Sequence, residues 1–207
     1  MEKRAIYAVV PAAGLSRRMG RPKLLLPLGG KPIIGRLIEA LNHSEIRTRA
    51  VVLRRGDGPL LEAVKAAGAW AIQPEDDPPE MRKSVEIALS AIDRRFSPKP
   101  EDGWMLVPAD HPVLSARVIE QMIEAWQRTT AGILVPVSNG RRGHPTIFSW
   151  DLAEQVKEIP PDQGLNWLLR SSEWAIEELP IEDEAIFTDL DTPADYEALK
   201  RAFEGES

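Results

Sequence analysis

The chain has 207 residues, 43% hydrophobic and 28% charged, an ordinary globular composition with ample material for a core. Its net charge is −6 and its pI about 5.2, which excludes a general nucleic-acid binder but not a small basic pocket for phosphate. Cysteine is absent, so disulfides, thiolate metal sites and a cysteine nucleophile are excluded, and 3 histidines argue against a multi-histidine zinc site.

The length fits one α/β domain spanning 1–207. Residues 6–10 read as a buried strand ended by Pro11: short, β-branched and apolar. That strand is too short for a signal peptide, and no apolar run reaches membrane-spanning length, so a cytoplasmic location is expected. A loop then runs to about Pro27. Residues 32–41 have helical spacing, with Ile33, Ile34, Leu37, Ile38 and Leu41 on one face. A strand at 50–53, a helix at 60–67 closed by Gly68, and a short strand at 69–72 follow. The acidic, proline-rich stretch 74–80 is a loop.

A helix is expected at 84–92 and a strand at 104–107 that ends on Pro108-Ala109-Asp110. Ser115 caps a helix over 116–126. Residues 133–137 form a strand, and a Gly/Arg turn at 139–143 leads to Thr146-Ile147-Phe148. Helices at 152–158 and 165–170, a last strand at 186–190 and a helix at 193–203 complete the chain. Most of the tryptophans fall on apolar faces and are expected in the core. This alternation predicts a three-layer α/β/α, Rossmann-like, mostly parallel sheet. Ligands sit at the carboxyl ends of the strands in such sheets. The polar ends at Pro11, Asp110 and Asp189-Leu190-Asp191 therefore read as one site.

The loop after the first strand has the chemistry of a phosphate cradle. Ala12, Ala13 and Gly14 have almost no side chain and let backbone groups approach a ligand. Ser16 adds a hydroxyl, and Arg17, Arg18, Arg21 and Lys23 place four cations within seven residues. The loop is neither a dinucleotide-binding G-x-G-x-x-G nor a P-loop. Asp110 reads either as a strand-end carboxylate facing the site or as the start of a turn before Pro112. Asp191 reads as a cap for the last helix, and Asp189 shares its strand parity. Ser84 reads as an N-cap.

The run Ala13-Gly14-Leu15-Ser16-Arg17-Arg18-Met19-Gly20, then Lys23, Leu25-Leu26-Pro27 and Gly30-Lys31-Pro32, resembles the signature of MobA-like nucleotidylyltransferases. The Ala12-Ala13 form is most similar to the molybdenum cofactor cytidylyltransferases within them. The resemblance implies a nucleotide-diphospho-sugar transferase-like fold and a reaction in which a phosphorylated acceptor attacks the α-phosphate of a nucleoside triphosphate. CTP is favoured over GTP, and molybdopterin is the implied acceptor. Ala12, Ala13 and Gly14 would hold base and ribose. Arg18 would contact the β- and γ-phosphates and Lys23 the α-phosphate, with Ser16 and Ser84 completing the nucleotide site. Asp189-Leu190-Asp191-Thr192-Pro193 resembles the family's C-terminal D-x-D-T-P-x-D element, so Asp110 and Asp191 would ligate Mg2+, with Asp189 as the second choice to Asp191. Gly143-His144-Pro145 resembles the G-[HN]-P element near the acceptor, and His111 lies beside it. Glu80, His111, Pro161 and Asn166 depart from the family pattern. A molybdoenzyme or its chaperone is the implied protein partner. Two rival readings stand beside this one: a sugar- or cyclitol-phosphate nucleotidylyltransferase, and a non-catalytic nucleotide sensor or cofactor chaperone.

Overall fold

The computed structural model describes residues 3–171 and 173–205. Strand β1 (Ile6–Pro11) is buried along its whole length and lies near the middle of the sheet. Side chains alternate across a strand, so its two faces supply two cores. Ile6, Ala8 and Val10 point to one, and Tyr7 and Val9 to the other. A short hairpin, β2 (Pro27–Leu28) with β3 (Lys31–Pro32), precedes helix α1 (Ile33–Ala40). The predicted apolar stripe of α1 is fully buried.

Strand β4 (Ile46–Val52), helix α2 (Gly58–Ala66) and strand β5 (Trp70–Ile72) extend one side of the sheet in parallel. Helix α3 (Met81–Phe96) crosses to the opposite face and leads into β6 (Gly103–Leu106), which pairs parallel to β1. Helix α4 (Ala116–Arg128) follows, with Ser115 accepting the Val118 N–H at 3.2 Å as its cap. Gly103 is required where α4 packs. A Cβ there would lie 2.8 Å from the Trp126 indole nitrogen.

Beyond β6 the sheet becomes mixed. Strands β7 (Ile133–Ser138), β8 (Arg141–Arg142) and β9 (Thr146–Ser149) pair antiparallel, and β9 inserts between β6 and β7. Helix α5 (Asn166–Ser171) leads to β10 (Ile176–Pro180), the edge strand, parallel to β7. The main-sheet order is β10-β7-β9-β6-β1-β4-β5, with β8 on β7, and helix α6 (Pro193–Gly205) closes the described chain. Helices α1, α2 and α4 cover one face and α3 and α5 the other, which is the expected three-layer α/β/α arrangement. No described helix is long and apolar enough to cross a membrane.

Three expectations are corrected. Residues 184–186 form a 3-10 turn and no strand follows at 186–190; the last strand is Ile176–Pro180. Its sequence, I-E-E-L-P, carries two glutamates that suit an exposed edge and hide the strand from a pattern search. The helix expected at 152–158 is two 3-10 turns, Trp150–Leu152 and Glu154–Glu158, ahead of Pro160 and Pro161. Helix α3 begins at Met81, so Ser84 lies inside its first turn and is not its cap.

Candidate active site

The carboxyl ends of β1, β4 and β6 open onto a cavity of about 560 Å3, the size range of small-molecule sites. Its floor is the loop that leaves β1. Register with β4 continues one residue past the strand: the Ala12 N–H donates to the Val52 carbonyl at 2.9 Å. Ala12 is therefore committed to the sheet through its amide. Ala13 and Gly14, more exposed, form the cavity wall beside it.

The loop then turns back on itself. Ser16 adopts φ of 49°, and its carbonyl accepts from the Met19 and Gly20 amides, both at 3.1 Å. Ser16 Oγ accepts the Lys23 amide at 3.3 Å. This turn delivers Lys23 to a 3-10 turn at Lys23–Leu25, and Met19 and Leu24 anchor it in the core. Ser16 thus positions Lys23 through the backbone while its own side chain lines the cavity.

Lys23 is the hub. Its Nζ donates to Asp110 Oδ2 at 3.0 Å, to Asp191 Oδ1 at 3.2 Å and to the Leu190 carbonyl at 2.7 Å. The side chain is only 14% exposed, so this is no solvated surface pair. Arg18 pairs with the other Asp191 oxygen, Oδ2, at 2.9 Å. Asp110 follows β6, and its carbonyl accepts the Leu190 amide at 2.9 Å, which ties the two acidic loops together. Asp195 Oδ2 accepts the amides of Asp191 at 3.1 Å and Thr192 at 2.7 Å, and these bonds hold its own carboxyl below the usual range. Asp195 therefore sets the turn that presents Asp191 and starts α6. Asp189 is exposed and takes no part in the Lys23 cluster; its charge acts on His111.

Ser84, buried in the first turn of α3, lines the far wall. Four residues that the sequence did not single out join it. Leu15 and Met81, 51% and 47% exposed, give apolar surface on the loop and on the helix. Arg54, just past β4, donates through Nε to Asp77 Oδ2 at 2.9 Å, and Asp77 Oδ1 accepts the Arg55 amide at 2.7 Å. That clamp fastens the 74–80 loop to the end of β4. The signal for Arg54 was its place at a strand's carboxyl end. Asp77 lay among three acids with nothing to distinguish it.

His111 and His144 meet edge to face, ring centroids 5.2 Å apart. The backbone brings them together, since the His144 amide donates to the Ile186 carbonyl at 2.9 Å. Gly143 allows that approach, because a Cβ there would lie 2.7 Å from the same oxygen. Both Nδ1 atoms are buried without a partner. These three residues adjoin Asp110 but do not line the main cavity. Burial, reinforced by His111, lowers the His144 imidazole from 6.5 to about 4, against the opposing pull of Asp110. Burial also lowers His111. Both shifts favour the neutral ring, which offers hydrogen bonds rather than charge.

A base depressed in the folded state binds its proton more readily when unfolded. Its contribution to stability is therefore present above about 6.5 and is lost as pH falls toward about 4. Urea midpoints across that window should fall more steeply for the natural protein than for His144→Gln. Parallel curves would show that His144 is not the group responsible.

The carboxylates of Asp110 and Asp191, brought together on Lys23, are the ligand type that suits a hard divalent cation once the ammonium has moved away. Magnesium takes one or two carboxylates and completes its shell with phosphate oxygens and water. Among the described residues no group of three or more His, Asp or Glu could hold a metal ion.

Known proteins resemble this chain in sequence and in fold. The model of the MobA-like NTP transferase domain matches residues 8–179. The molybdenum cofactor cytidylyltransferase of Escherichia coli K12 is 26% identical over 96% of this chain and 97% of its own. The purine catabolism protein PucB of Bacillus subtilis is 28% identical over 95% and 97%. The crystal structure of an Rv0371c homologue from Mycobacterium sp. strain JC1 superposes with a TM-score of 0.80, at 26% identity over 98% of both chains. The fold is the nucleotide-diphospho-sugar transferase one.

Proposed function

The chain belongs to the MobA-like NTP transferase family, and from that premise we propose that it transfers CMP from CTP to a phosphorylated acceptor, releasing pyrophosphate. The observation that carries this reading is the convergence of Lys23, Asp110 and Asp191 at the cavity that Ala13 and Gly14 line. A sensor would need the loop but not both acids.

In the proposed mechanism no side chain acts as a nucleophile. The triphosphate lies along the loop, with the base between Ala12-Ala13 and Ser84. Ser84 is buried in the cavity wall, where its hydroxyl can serve a base edge. Lys23 holds the α-phosphate and stabilises the charge that develops there. Arg18, long and 73% exposed, reaches the β- and γ-phosphates and stabilises the departing pyrophosphate. Ser16 and the turn it caps keep Lys23 in place. Asp110 and Asp191 would hold Mg2+, which when bound neutralises phosphate charge and aligns acceptor and triphosphate oxygens. Catalysis is then chiefly alignment and electrostatics.

For the acceptor we propose the molybdenum cofactor. The overall likeness to the E. coli molybdenum cofactor cytidylyltransferase extends over nearly all of both chains and supports this acceptor. Neutral His111 and His144, next to Asp110, suit an acceptor with uncharged hydrogen-bonding groups beside its phosphate. The test is pyrophosphate release by the purified protein from CTP, GTP, ATP and UTP. Each is paired with molybdenum cofactor, a sugar phosphate or a cyclitol phosphate. Release requiring CTP and molybdenum cofactor is expected. Preference for another pair reassigns the substrate, and silence on all pairs overturns the proposed reaction.

A further inference from the structure

The two cations assigned to the triphosphate are also the two that neutralise the metal ligands. Lys23 Nζ touches Asp110 Oδ2 and Asp191 Oδ1, and Arg18 touches Asp191 Oδ2. Both oxygens of Asp191 and one of Asp110 are thus engaged by positive charge. Lys23 and Arg18 together offset the charges of Asp110 and Asp191, so an incoming dication finds its ligands already paired. It also finds the ammonium where it would have to sit. Lys23 is largely shielded from water and has a third acceptor in the Leu190 carbonyl, which makes the arrangement a seated one.

A triphosphate changes this balance. It offers Lys23 and Arg18 a denser negative partner along the loop that carries both, and their departure leaves Asp110 and Asp191 charged and open. We propose that Lys23 and Arg18 keep the metal site closed in the nucleotide-free protein, so that a divalent cation enters with the triphosphate and not before it. The inference rests on the proposed roles of these four residues and adds an order of binding to them. Lys23 then has two seats: on the carboxylates without nucleotide, and on the α-phosphate with it.

The test uses Mn2+ alone as the probe, with free Mn2+ followed by electron paramagnetic resonance and no nucleotide present. The natural protein is expected to bind Mn2+ weakly. Lys23→Met removes the competing charge but keeps the apolar stem, and should tighten Mn2+ binding about ten-fold or more. Lys23→Arg keeps the charge and should stay weak. Adding Asp110→Asn to Lys23→Met should abolish the gain, which locates the ion. Melting curves check folding. Should Lys23→Met not fold, Arg18→Ala removes the exposed cation and is expected to tighten binding by a smaller factor. Tight Mn2+ binding by the natural protein overturns the inference. So does a folded Lys23→Met that binds no better, or an unchanged Arg18→Ala where Lys23→Met fails to fold. Pyrophosphate release is measured separately: turnover without these affinity changes removes the ordered entry alone, and absent turnover removes the reading of the reaction.

Discussion

Asp110→Asn should lower kcat about a thousand-fold while the protein stays folded. The reasoning is local. Asparagine keeps the shape of the side chain but loses the negative charge that a dication needs. Lys23 keeps Asp191 and the Leu190 carbonyl as acceptors, so no ammonium is left unpaired. The Asp110 carbonyl still accepts from Leu190, so the two loops stay joined. Single-turnover pyrophosphate release and a melting curve on the same sample separate chemistry from folding. Near-natural turnover from a folded Asp110→Asn would remove Asp110 from the reaction.

The second large effect lies in the sheet. Trp104→Ala should cost about 3–5 kcal/mol in unfolding free energy. Trp104 is fully buried on β6 and stacks on Phe148 of β9, ring centroids 4.3 Å apart at 16°. This pair bridges the parallel and antiparallel parts of the sheet, and β6 leads directly to Asp110. The Trp104 indole nitrogen has no partner, so Trp104→Phe gives up packing but no hydrogen bond and should lose far less. Urea unfolding of the three proteins measures both values. A loss with alanine no larger than with phenylalanine would contradict the stack's role.

The contrast between these two positions explains what the sequence could and could not reveal. Fully buried elements announce themselves by composition. The apolar run of β1 and the stripe of α1 appear where the pattern puts them. So does the Ser115 cap. Elements held by partners rather than by their own composition do not. β10 is a strand because β7 offers it a ladder, although its glutamates argue otherwise. The stretch through Leu190 carries Ile186, Phe187 and Leu190, yet the Leu190 amide goes to the Asp110 carbonyl instead of to a sheet.

The candidate site divides the same way. Charged residues at strand ends stood out, and Lys23, Asp110 and Asp191 do converge. The direct contact between cation and acids spans 87 and 168 residues of chain and has no local signal. Backbone groups such as the Leu190 carbonyl carry none at all. Ser84 reads both as a helix cap and as a nucleotide contact; it is not the cap, because Met81-Arg82-Lys83 start the helix ahead of it. The Arg54–Asp77 clamp was invisible for the same reason as the Lys23 hub: its partners come from different loops.

Attack on the α-phosphorus is tested most directly with α-labelled CTP. Incubated with the protein, a divalent cation and molybdenum cofactor, the label should pass to the acceptor as CMP, with an equal amount of unlabelled pyrophosphate. Release of inorganic phosphate with the label left on CDP, or no transfer to any phosphorylated acceptor from any triphosphate, would contradict the account.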